Sequence, residues 1–288
     1  MTAPGRPPGP ETRRRSPVAA VAANIALVVY FAFSLLPIAF IIALSLKADR
    51  DQTTTYLWFS PTFDNYRTVL GLDGGGSSYV RFFLASLTTS VGAVLVSLVI
   101  GIPAAYAAAR WRFKGSDNLM FTLLSFRFAP ELLVIIPLAV IYRQLGLYDT
   151  AVGMIWVLQL VTMPLVVWIL RSFFADFPVE LEEAALLDGY SRRRVFVKVV
   201  LPLVRPGIAA VSLLAFIFAW NNFIFPFTLT SSNAQTVTVS SLAYLGGNLV
   251  RFNLVAAGAV MAALPPLVLA LFIQRYLVRG LSFGAVKG

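Results

Sequence analysis

The stretch VAAVAANIALVVYFAFSLLPIAFIIALSL, residues 18–46, decides the fold class of this chain. It contains no charged residue and is long enough to cross roughly 30 Å of hydrocarbon as a helix. A secretory leader has a shorter apolar core and a cleavage site of small residues soon after it, so we interpret the stretch as a signal anchor. Residues 1–17, rich in Pro, Gly and Arg, are expected to form a disordered basic cytoplasmic tail.

The composition of the chain is that of a membrane-embedded protein. Of its 288 residues, 58% are hydrophobic and only 12% are charged. Cysteine and histidine are both absent, which removes disulfides, thiol nucleophiles, imidazole bases and the usual ligands of zinc, haem and iron–sulfur clusters. We therefore expect no metal site.

Five more apolar stretches follow, and each is long enough to cross a membrane as a helix. They occupy about 82–109, 118–141, 151–172, 205–230 and 252–278. A helix satisfies its own backbone hydrogen bonds, as the hydrocarbon interior requires. We therefore predict an all-α integral membrane protein in which residues 18–278 form one domain of six transmembrane helices, followed by a tail at 279–288.

The basic residues predict how these helices are oriented. Sixteen of the 23 Lys and Arg residues lie in the two termini and in the segments 110–117 and 171–205, whereas six lie in or beside the other connections. Cytoplasmic segments carry an excess of Lys and Arg, so both termini are predicted to be cytoplasmic. The external segments are then 47–81, 142–150 and 231–251. This topology accounts for the net charge of +10 without any nucleic acid.

The cytoplasmic segment at about 173–207 has the pattern of two short helices joined by a turn. Pro178 suits the first turn of the first helix, and negative charge follows near its positive N-terminal end. The acidic residues there are Glu180, Glu182 and Glu183. Ala184 and Ala185 leave little side-chain bulk, so another protein could approach closely.

A turn and a second helix follow. Gly189 can supply the left-handed residue that ends the first helix, and Ser191 is a candidate N-cap for the second. We expect Pro202 and Pro206 to interrupt this second helix. The apolar side chains expected to pack on the bundle are Phe196, Val199 and Val200. Each of these features alone would also suit an ordinary amphipathic loop whose charges are solvated.

The order of these features, however, resembles the EAA loop of the permease subunits of binding-protein-dependent ABC importers. The matching residues are Glu183-Ala184-Ala185, Asp188-Gly189, Phe196, Leu201-Pro202 and Pro206-Gly207. Tyr190 departs from the pattern, because the family usually has Ala there. Further motifs look like those of the second membrane subunit of maltose-type importers. They include Ser45-Leu46-Lys47, Asn65-Tyr66, Ala104-Ala105-Tyr106-Ala107 with Arg110, Trp220-Asn221-Asn222-Phe223 and the tail Gly284-Ala285-Val286-Lys287-Gly288.

This resemblance implies a permease subunit in the bacterial cytoplasmic membrane that imports a sugar or sugar-like solute, such as a di- or oligosaccharide or a polyol, by alternating access. The implied partners are a second homologous permease subunit, two ATPase subunits and an extracytoplasmic solute-binding protein. No Gly-x-x-x-x-Gly-Lys-Ser/Thr motif occurs, so this chain cannot cradle ATP phosphates itself. We therefore expect no enzymatic activity and no cofactor here, with ATP and Mg bound by the partner ATPases.

The resemblance also implies roles for particular residues. Those expected to couple to the ATPase are Glu183, Ala184, Ala185, Asp188, Gly189, Arg192 and Arg193. The polar, uncharged segment 231–250 is expected to be a flexible strand that contacts the binding protein, through Asn233, Gln235, Gly246 and Gly247. The tail at 279–288 is expected to dock on the ATPases, and a frayed terminus is the alternative.

Polar residues within the apolar stretches are candidates for the substrate path. Arg127 and Glu131, four residues apart on one predicted helix face, are expected to pair. They either line the path or form a structural pair near the cytoplasmic end. The amides of Asn221 and Asn222 suit sugar hydroxyls, and Trp220 and Phe223 could offer ring faces. Hydrogen bonding between helices is the alternative for both asparagines.

Two other classes of membrane protein compete with an importer. A secondary transporter or channel not driven by ATP would usually carry ionisable coupling residues at mid-membrane and would not need the 173–207 projection. An intramembrane enzyme would need a catalytic pair, and the chain has no His or Cys and no Asp in the middle of a span.

Overall fold

The computed structural model describes residues 17–56, 58–74, 79–111, 114–128, 131–245 and 250–284. Within these ranges all regular secondary structure is helical. The first seven helices are α1 Pro17–Ser45, α2 Asp64–Leu70, α3 Tyr79–Arg110, α4 Ser116–Phe128, α5 Glu131–Gln144, α6 Ala151–Val157 and α7 Gln159–Ala175. The remaining six are α8 Val179–Leu187, α9 Arg192–Val195, α10 Leu201–Trp220, α11 Ile224–Leu229, α12 Val237–Ser240 and α13 Phe252–Gly284. The predicted tail at 1–17 lies almost wholly outside the described residues.

Between four and six elements of this structure can cross a membrane. Single helices long and apolar enough are α1, α3, α13 and a continuous run from Arg192 to Trp220. Two further candidates are bent pairs, α4 with α5 at 87° and α6 with α7 at 44°. The fold is therefore all-helical, as predicted, but the stretches 118–141 and 151–172 are not single straight helices.

A distinctive residue lies at each bend. Pro130 stands in the sequence between α4 and α5, and proline lacks the N–H that a continuing helix needs. At the other bend the Gln159 side chain bonds to the backbone, since its Nε2 donates to the carbonyl of Ile155 at 2.8 Å and to that of Ala93 on α3 at 3.1 Å.

The prediction that Pro202 and Pro206 interrupt a helix is wrong. The helix runs through both residues, from α9 through a π-helical segment at Phe196–Val200 into α10. The wider π turn comes directly before Pro202, where the missing N–H would otherwise leave a gap in the ladder. The helix instead ends at Trp220, so the predicted stretch 205–230 contains a break before α11.

The centre of the bundle is formed by α3, α7, α10 and α13. Val166, Leu170 and Phe174 of α7 and Val211 of α10 are fully buried there. At Gly207 on α10 an added Cβ would lie 2.6 Å from the ring of Phe173, so only glycine allows this approach to α7. By contrast, α1 is exposed along almost its whole length, an apolar surface that lipid or another membrane chain would cover.

The end of α1 is tied to α2 and α13 by buried polar side chains. Asn65 donates to the carbonyls of Ser45 at 2.8 Å and Lys47 at 2.7 Å, and Asn253 donates to Asn65 at 2.8 Å. The fully buried Lys47 donates to the carbonyl of Thr54 at 2.6 Å. The motifs Ser45-Leu46-Lys47 and Asn65-Tyr66 therefore have a structural role in joining three helices.

Candidate coupling and translocation sites

The predicted helix–turn–helix at 173–207 is present. Gly189 has φ +82°, the left-handed conformation predicted for it. Its N–H donates to the Leu186 carbonyl at 3.0 Å, and the N–H of Tyr190 donates to the Ala185 carbonyl at 3.1 Å. These two bonds form a Schellman motif, which satisfies the last carbonyls of α8. The turn between α8 and α9 is thus fixed by a residue that must be tolerant of positive φ.

Two details at the helix starts differ from the prediction. Pro178 occupies the N-cap position of α8 with an extended backbone, rather than the first helical turn. Ser191 is the N-cap residue of α9, as predicted, but its side chain makes no capping hydrogen bond. The packing prediction for the second helix is confirmed, because Phe196 is partly buried and Val200 completely buried in the main core.

The predicted coupling residues divide between two faces. Most are exposed to solvent, namely Glu183, Ala184, Asp188, Gly189, Arg192 and Arg193. Ala185 is buried in the main core, so the expectation that both alanines offer a surface to another protein is wrong for this residue. Successive helix residues are about 100° apart around the axis, so neighbours in sequence can lie on different faces of the helix.

An ion pair that the sequence analysis missed holds α8 to α3. Glu182 Oε1 accepts a hydrogen bond from Arg110 Nε at 2.7 Å and lies 2.7 Å from Arg110 Nη2 in an ion pair, and Glu182 Oε2 accepts from the hydroxyl of Tyr106 at 2.6 Å. The Nη2 group of Arg110 also donates to the carbonyl of Phe177 at 2.9 Å. Both charged side chains are only 10% exposed. We call Glu182, Arg110 and Tyr106 the cytoplasmic joint, after the side of the membrane that the distribution of basic residues predicts for them.

Aromatic rings surround the cytoplasmic joint. The ring of Tyr106 lies 4.7 Å from that of Phe196, 5.5 Å from that of Phe174 and 5.6 Å from that of Trp111, measured between centroids. Such pairs contribute about 0.5–1.5 kcal/mol beyond area burial. The hydroxyl of Tyr106 is therefore held in place by packing from α7 and from the π-helical segment.

The break after α10 brings polar groups together at the predicted substrate path. Asn222 Nδ2 donates to Glu131 Oε1 at 3.1 Å, and Asn222 Oδ1 accepts from the backbone N–H of Phe225 at 3.2 Å. Asn222 is nearly buried, and its amide makes the inter-helix bond given as the alternative for it, while the residue also lines the cavity of about 560 Å³ that it was predicted to line. Asn221 is exposed and lines two cavities of about 570 and 560 Å³ together with Phe223.

Trp220 does not offer a ring face to a substrate. Its side chain is only 2% exposed, its ring stacks on Phe216 and meets Phe83 edge-on, and its Nε1 donates to the Ala262 carbonyl at 3.0 Å. The apolar size of an indole ring favours this core position. Trp220 is nevertheless one of the residues that line the 570 Å³ cavity.

Arg127 and Glu131 do not share one continuous helix. Arg127 lies near the end of α4, and Glu131 is the first residue of α5. The side chain of Arg127 lies outside the described part of the structure, so its pairing with Glu131 remains a prediction. Glu131 lines the 560 Å³ cavity with Asn221 and Asn222.

The segment that follows α11 is pinned by one carboxylate. Asp149, which has φ +57°, accepts hydrogen bonds of 3.0–3.3 Å from the backbone N–H groups of four successive residues. These residues are Ser231, Ser232, Asn233 and Ala234. We call this arrangement the Asp149 cage.

The Asp149 cage corrects the expectation of a flexible strand at 231–250. Its described part is anchored at 231–234 and helical at α12, and a 3₁₀ turn follows at Ser241–Tyr244. Asn233 also accepts from Arg81 Nη2 at 2.9 Å, while Gln235 is partly exposed. Gly246 and Gly247 lie outside the described residues. At the chain's other end, α13 continues to Gly284, so the start of the predicted tail at 279–288 is helical.

The structure defines a class of protein, a multi-pass helical membrane protein from which a short charged helix pair projects. Residues 97–283 match the model of the family described as "Binding-protein-dependent transport system inner membrane component", and the chain belongs to this family. It is therefore a multi-pass protein of the cytoplasmic membrane and a permease subunit of an ABC importer. Subunits of this family are not themselves the ATPases.

Several relatives cover most of the chain. The trehalose transport system permease protein SugB of Mycobacterium tuberculosis is 36% identical over 261 residues, covering 89% of this chain and 93% of that protein. The melibiose/raffinose/stachyose import permease protein MelC of Bacillus subtilis is 32% identical, covering 88% and 91%. The diacetylchitobiose uptake system permease protein DasC of Streptomyces coelicolor is 31% identical, covering 96% and 100%.

A solved structure shows the same fold. A chain of a bacterial ABC transporter involved in the import of the acidic polysaccharide alginate superposes with a TM-score of 0.73 at 21% identity, covering 93% of this chain and 99% of that one. At this identity the likeness supports the arrangement of helices, and the residue-level roles rest on the contacts described above.

Proposed function

We propose that this chain pairs with a second, homologous permease subunit and that two ATPase subunits bind below the pair. In this proposal the ATPases dock on the exposed face of α8 and α9, and an extracytoplasmic binding protein delivers the solute to the opposite face. ATP and Mg are bound by the ATPases alone. Both termini of this chain are cytoplasmic.

The observation that carries this proposal is the chemistry of the α8–α9 surface. Glu183 and Asp188 on one side and Arg192 and Arg193 on the other are all exposed, while Glu182, Ala185 and Val195 anchor the pair inward. A rigid projection with both signs of charge suits a polar partner surface, since charge-assisted hydrogen bonds give both strength and geometry.

The solute in this proposal is a di- or oligosaccharide or a related polyol. The relatives described above are named for trehalose, for melibiose, raffinose and stachyose, and for diacetylchitobiose. The cavities beside the break after α10 are lined by Asn221 and Phe223, among other residues. An amide can donate to and accept from sugar hydroxyls, and an aromatic ring can cover sugar C–H groups.

The proposed mechanism is alternating access between two states that ligands bias by binding one state more tightly. Closure of the ATPases on ATP moves α8 and α9 and opens the cavity outward, and hydrolysis returns it to the inward state. The segment 231–250 contacts the docked binding protein, and the C-terminal tail rests on the ATPases. Nothing in this cycle requires a covalent step on the permease.

The test is reconstitution of the permease with its partner permease and ATPases in proteoliposomes. With the cognate binding protein we expect ATP-dependent uptake of a di- or oligosaccharide that this binding protein retains in a panel of mono-, di- and oligosaccharides and polyols. Failure of an ATPase chain to co-purify with the permease, or uptake that persists without ATP, would contradict the proposal.

A further inference from the structure

Two adjacent glutamates of α8 lie in different environments. Glu183 is exposed, whereas Glu182 is buried in the cytoplasmic joint with Arg110 and Tyr106. The first residue therefore faces the proposed ATPase, and the second faces the transmembrane bundle. Nothing in the docking role of the exposed surface requires a buried ion pair behind it.

We propose that the cytoplasmic joint transmits the movement of α8 to the transmembrane helices, so that Glu182, Arg110 and Tyr106 are positioning residues of transport. This inference rests on the proposed function, since it assumes that ATPases move α8. The transmitting role of these three residues is separate from ATPase docking, because they face the transmembrane bundle and not the exposed surface of α8.

The geometry of the joint favours transmission over simple anchoring. The backbone of α8 packs on α9 and on the π-helical segment, and the Glu182 carboxylate reaches across to α3. Arg110 and Tyr106 stand four residues apart, one turn of α3, and both bind this carboxylate. Two attachment points on one helix fix the direction of the carboxylate as well as its position.

The guanidinium of Arg110 joins a third segment. Its Nη2 donates to the carbonyl of Phe177, in the short connection between α7 and α8. The ends of α3 and α7 and the body of α8 therefore meet at one charged group. Apolar contacts can slide past one another, whereas a set of short charge-assisted bonds has a defined geometry. A displacement of α8 is thus passed to both helices together.

A purely structural anchor would behave differently in measurement. Loss of an anchor lowers the amount of folded and assembled complex, while the complexes that remain work normally. Loss of a transmitting joint leaves assembled complexes that hydrolyse ATP but move less solute. The number of ATP molecules hydrolysed per solute molecule imported separates the two roles.

The experiment measures this ratio in proteoliposomes for Glu182→Gln, which keeps the shape and the hydrogen-bonding oxygen but removes the charge. Because Glu182→Gln leaves the Arg110 guanidinium buried without its counter-charge, the yield of complex should fall, and the complexes that do assemble with the ATPases should show a ratio raised by roughly fivefold or more, the lower end of typical coupling between distant sites. The matched control is Glu180→Gln, an exposed acid on the same helix, which should keep the wild-type ratio.

Two further variants keep the inference falsifiable. Should Glu182→Gln fail to assemble, Tyr106→Phe removes one hydrogen bond and leaves the ion pair, and it should give a smaller rise in the ratio. The double variant Arg110→Gln with Glu182→Gln places two amides opposite each other. It should raise the ratio of ATP hydrolysed to solute imported by less than the two single changes added together.

The outcomes distinguish this inference from the proposed function. A wild-type complex without ATP-dependent uptake would refute the proposed function. If the wild-type complex transports solute and the ratio of ATP hydrolysed to solute imported is unchanged in both Glu182→Gln and Tyr106→Phe, the transmitting role of the joint is wrong and the proposed function stands. Additive effects of the two glutamine substitutions would likewise show that Arg110 and Glu182 do not act as one unit.

Discussion

Two carboxylates hold chain segments at opposite ends of this molecule, and they do so by different chemistry. Glu182 in the cytoplasmic joint is bound by the side chains of Arg110 and Tyr106. Asp149 is bound mainly by backbone N–H groups of 231–234. A side-chain joint can be lost by substitution at any of its members. The Asp149 cage depends on one residue, because backbone donors persist through most substitutions.

The environments of the two acids differ as well. Glu182 is nearly buried and needs a guanidinium to offset the cost of removing its charge from water. Asp149 is partly exposed. Burial opposes its ionisation, yet the backbone hydrogen bonds from Ala234, Asn233, Ser231 and Ser232 hold the pKa of this carboxyl well below its usual range. The cytoplasmic joint therefore links helices, whereas the Asp149 cage holds a loop in one conformation.

The largest effect is expected from breaking the ion pair. Arg110→Ala leaves the Glu182 carboxylate buried without its partner, so the free energy of unfolding should fall by about 3–5 kcal/mol. Arg171→Ala is the matched control, because Arg171 pairs with Asp117 at 2.9 Å where the two side chains are 34% and 89% exposed. That exposed pair should contribute only about 0–1 kcal/mol. Unfolding in detergent micelles checks both variants, and equal losses would contradict the distinction.

A smaller effect is expected from opening the Asp149 cage. Asp149→Ala removes the acceptor of four backbone N–H groups, and because most of them are exposed to water the expected cost is a net loss of about 0.5–1.5 kcal/mol, together with release of the segment that follows. Basal ATP hydrolysis should persist while stimulation by the liganded binding protein falls. Asp149→Asn keeps one acceptor oxygen and should retain part of this stimulation. If the liganded binding protein stimulates ATP hydrolysis by Asp149→Ala as strongly as by the wild type, the Asp149 cage has no role in transport.

The two regions also share a turn residue with positive φ, +82° at Gly189 and +57° at Asp149. A β-branched side chain is strained in this conformation, so Gly189→Val should cost about 1–2 kcal/mol and misplace α9. Gly189→Asn should be milder, since asparagine tolerates the left-handed region. Solute uptake by assembled complexes measures the effect, and a wild-type rate for the valine variant would be inconsistent with the proposed geometry.

The smallest effect concerns pH. The pKa of Asp149 is lower in the folded protein than the value of about 3.9 expected in the unfolded chain. Its contribution is therefore complete above about pH 4 and is lost only as the pH falls through the folded pKa. Stimulation by the binding protein should show no step due to Asp149 between about pH 5 and 8. A step in the wild type that disappears in Asp149→Asn would contradict this.

Much of the fold follows from local sequence. Long apolar stretches predict α1, α3 and α13, and a glycine after a short acidic helix predicts the turn at Gly189. The helix through Pro202 was missed because a π turn can absorb a proline, which composition does not reveal. The bend at Gln159 depends on a side chain that reaches the carbonyl of Ala93 on another helix.

The contacts of the site were harder to predict because they join distant parts of the chain. In the sequence Glu182 is one of three acidic residues near the start of α8. Only the fold shows that Glu182, unlike the other two, is buried against Arg110 of α3. Asp149 meets a segment more than eighty residues later in the sequence. Nothing in the sequence around Asp149 indicates that its carboxylate binds the backbone of residues 231–234. Spacing therefore predicted the helix pair but not the partners that hold it.

The central claim is that α8 and α3 move as one body because of the cytoplasmic joint. The chain has no native cysteine, so spin labels can be placed cleanly at Leu187→Cys on α8 and Val99→Cys on α3, where the native side chains are 89% and 73% exposed.

The direct measurement is the distance between these labels in the reconstituted complex, without nucleotide and with ATP trapped. A second label pair across the two permease subunits confirms that the complex changes state. We predict one narrow distance that is the same in both states of the otherwise wild-type protein and a broadened or shifted distance in Glu182→Gln. A distance that changes with nucleotide while the joint is intact would contradict the account.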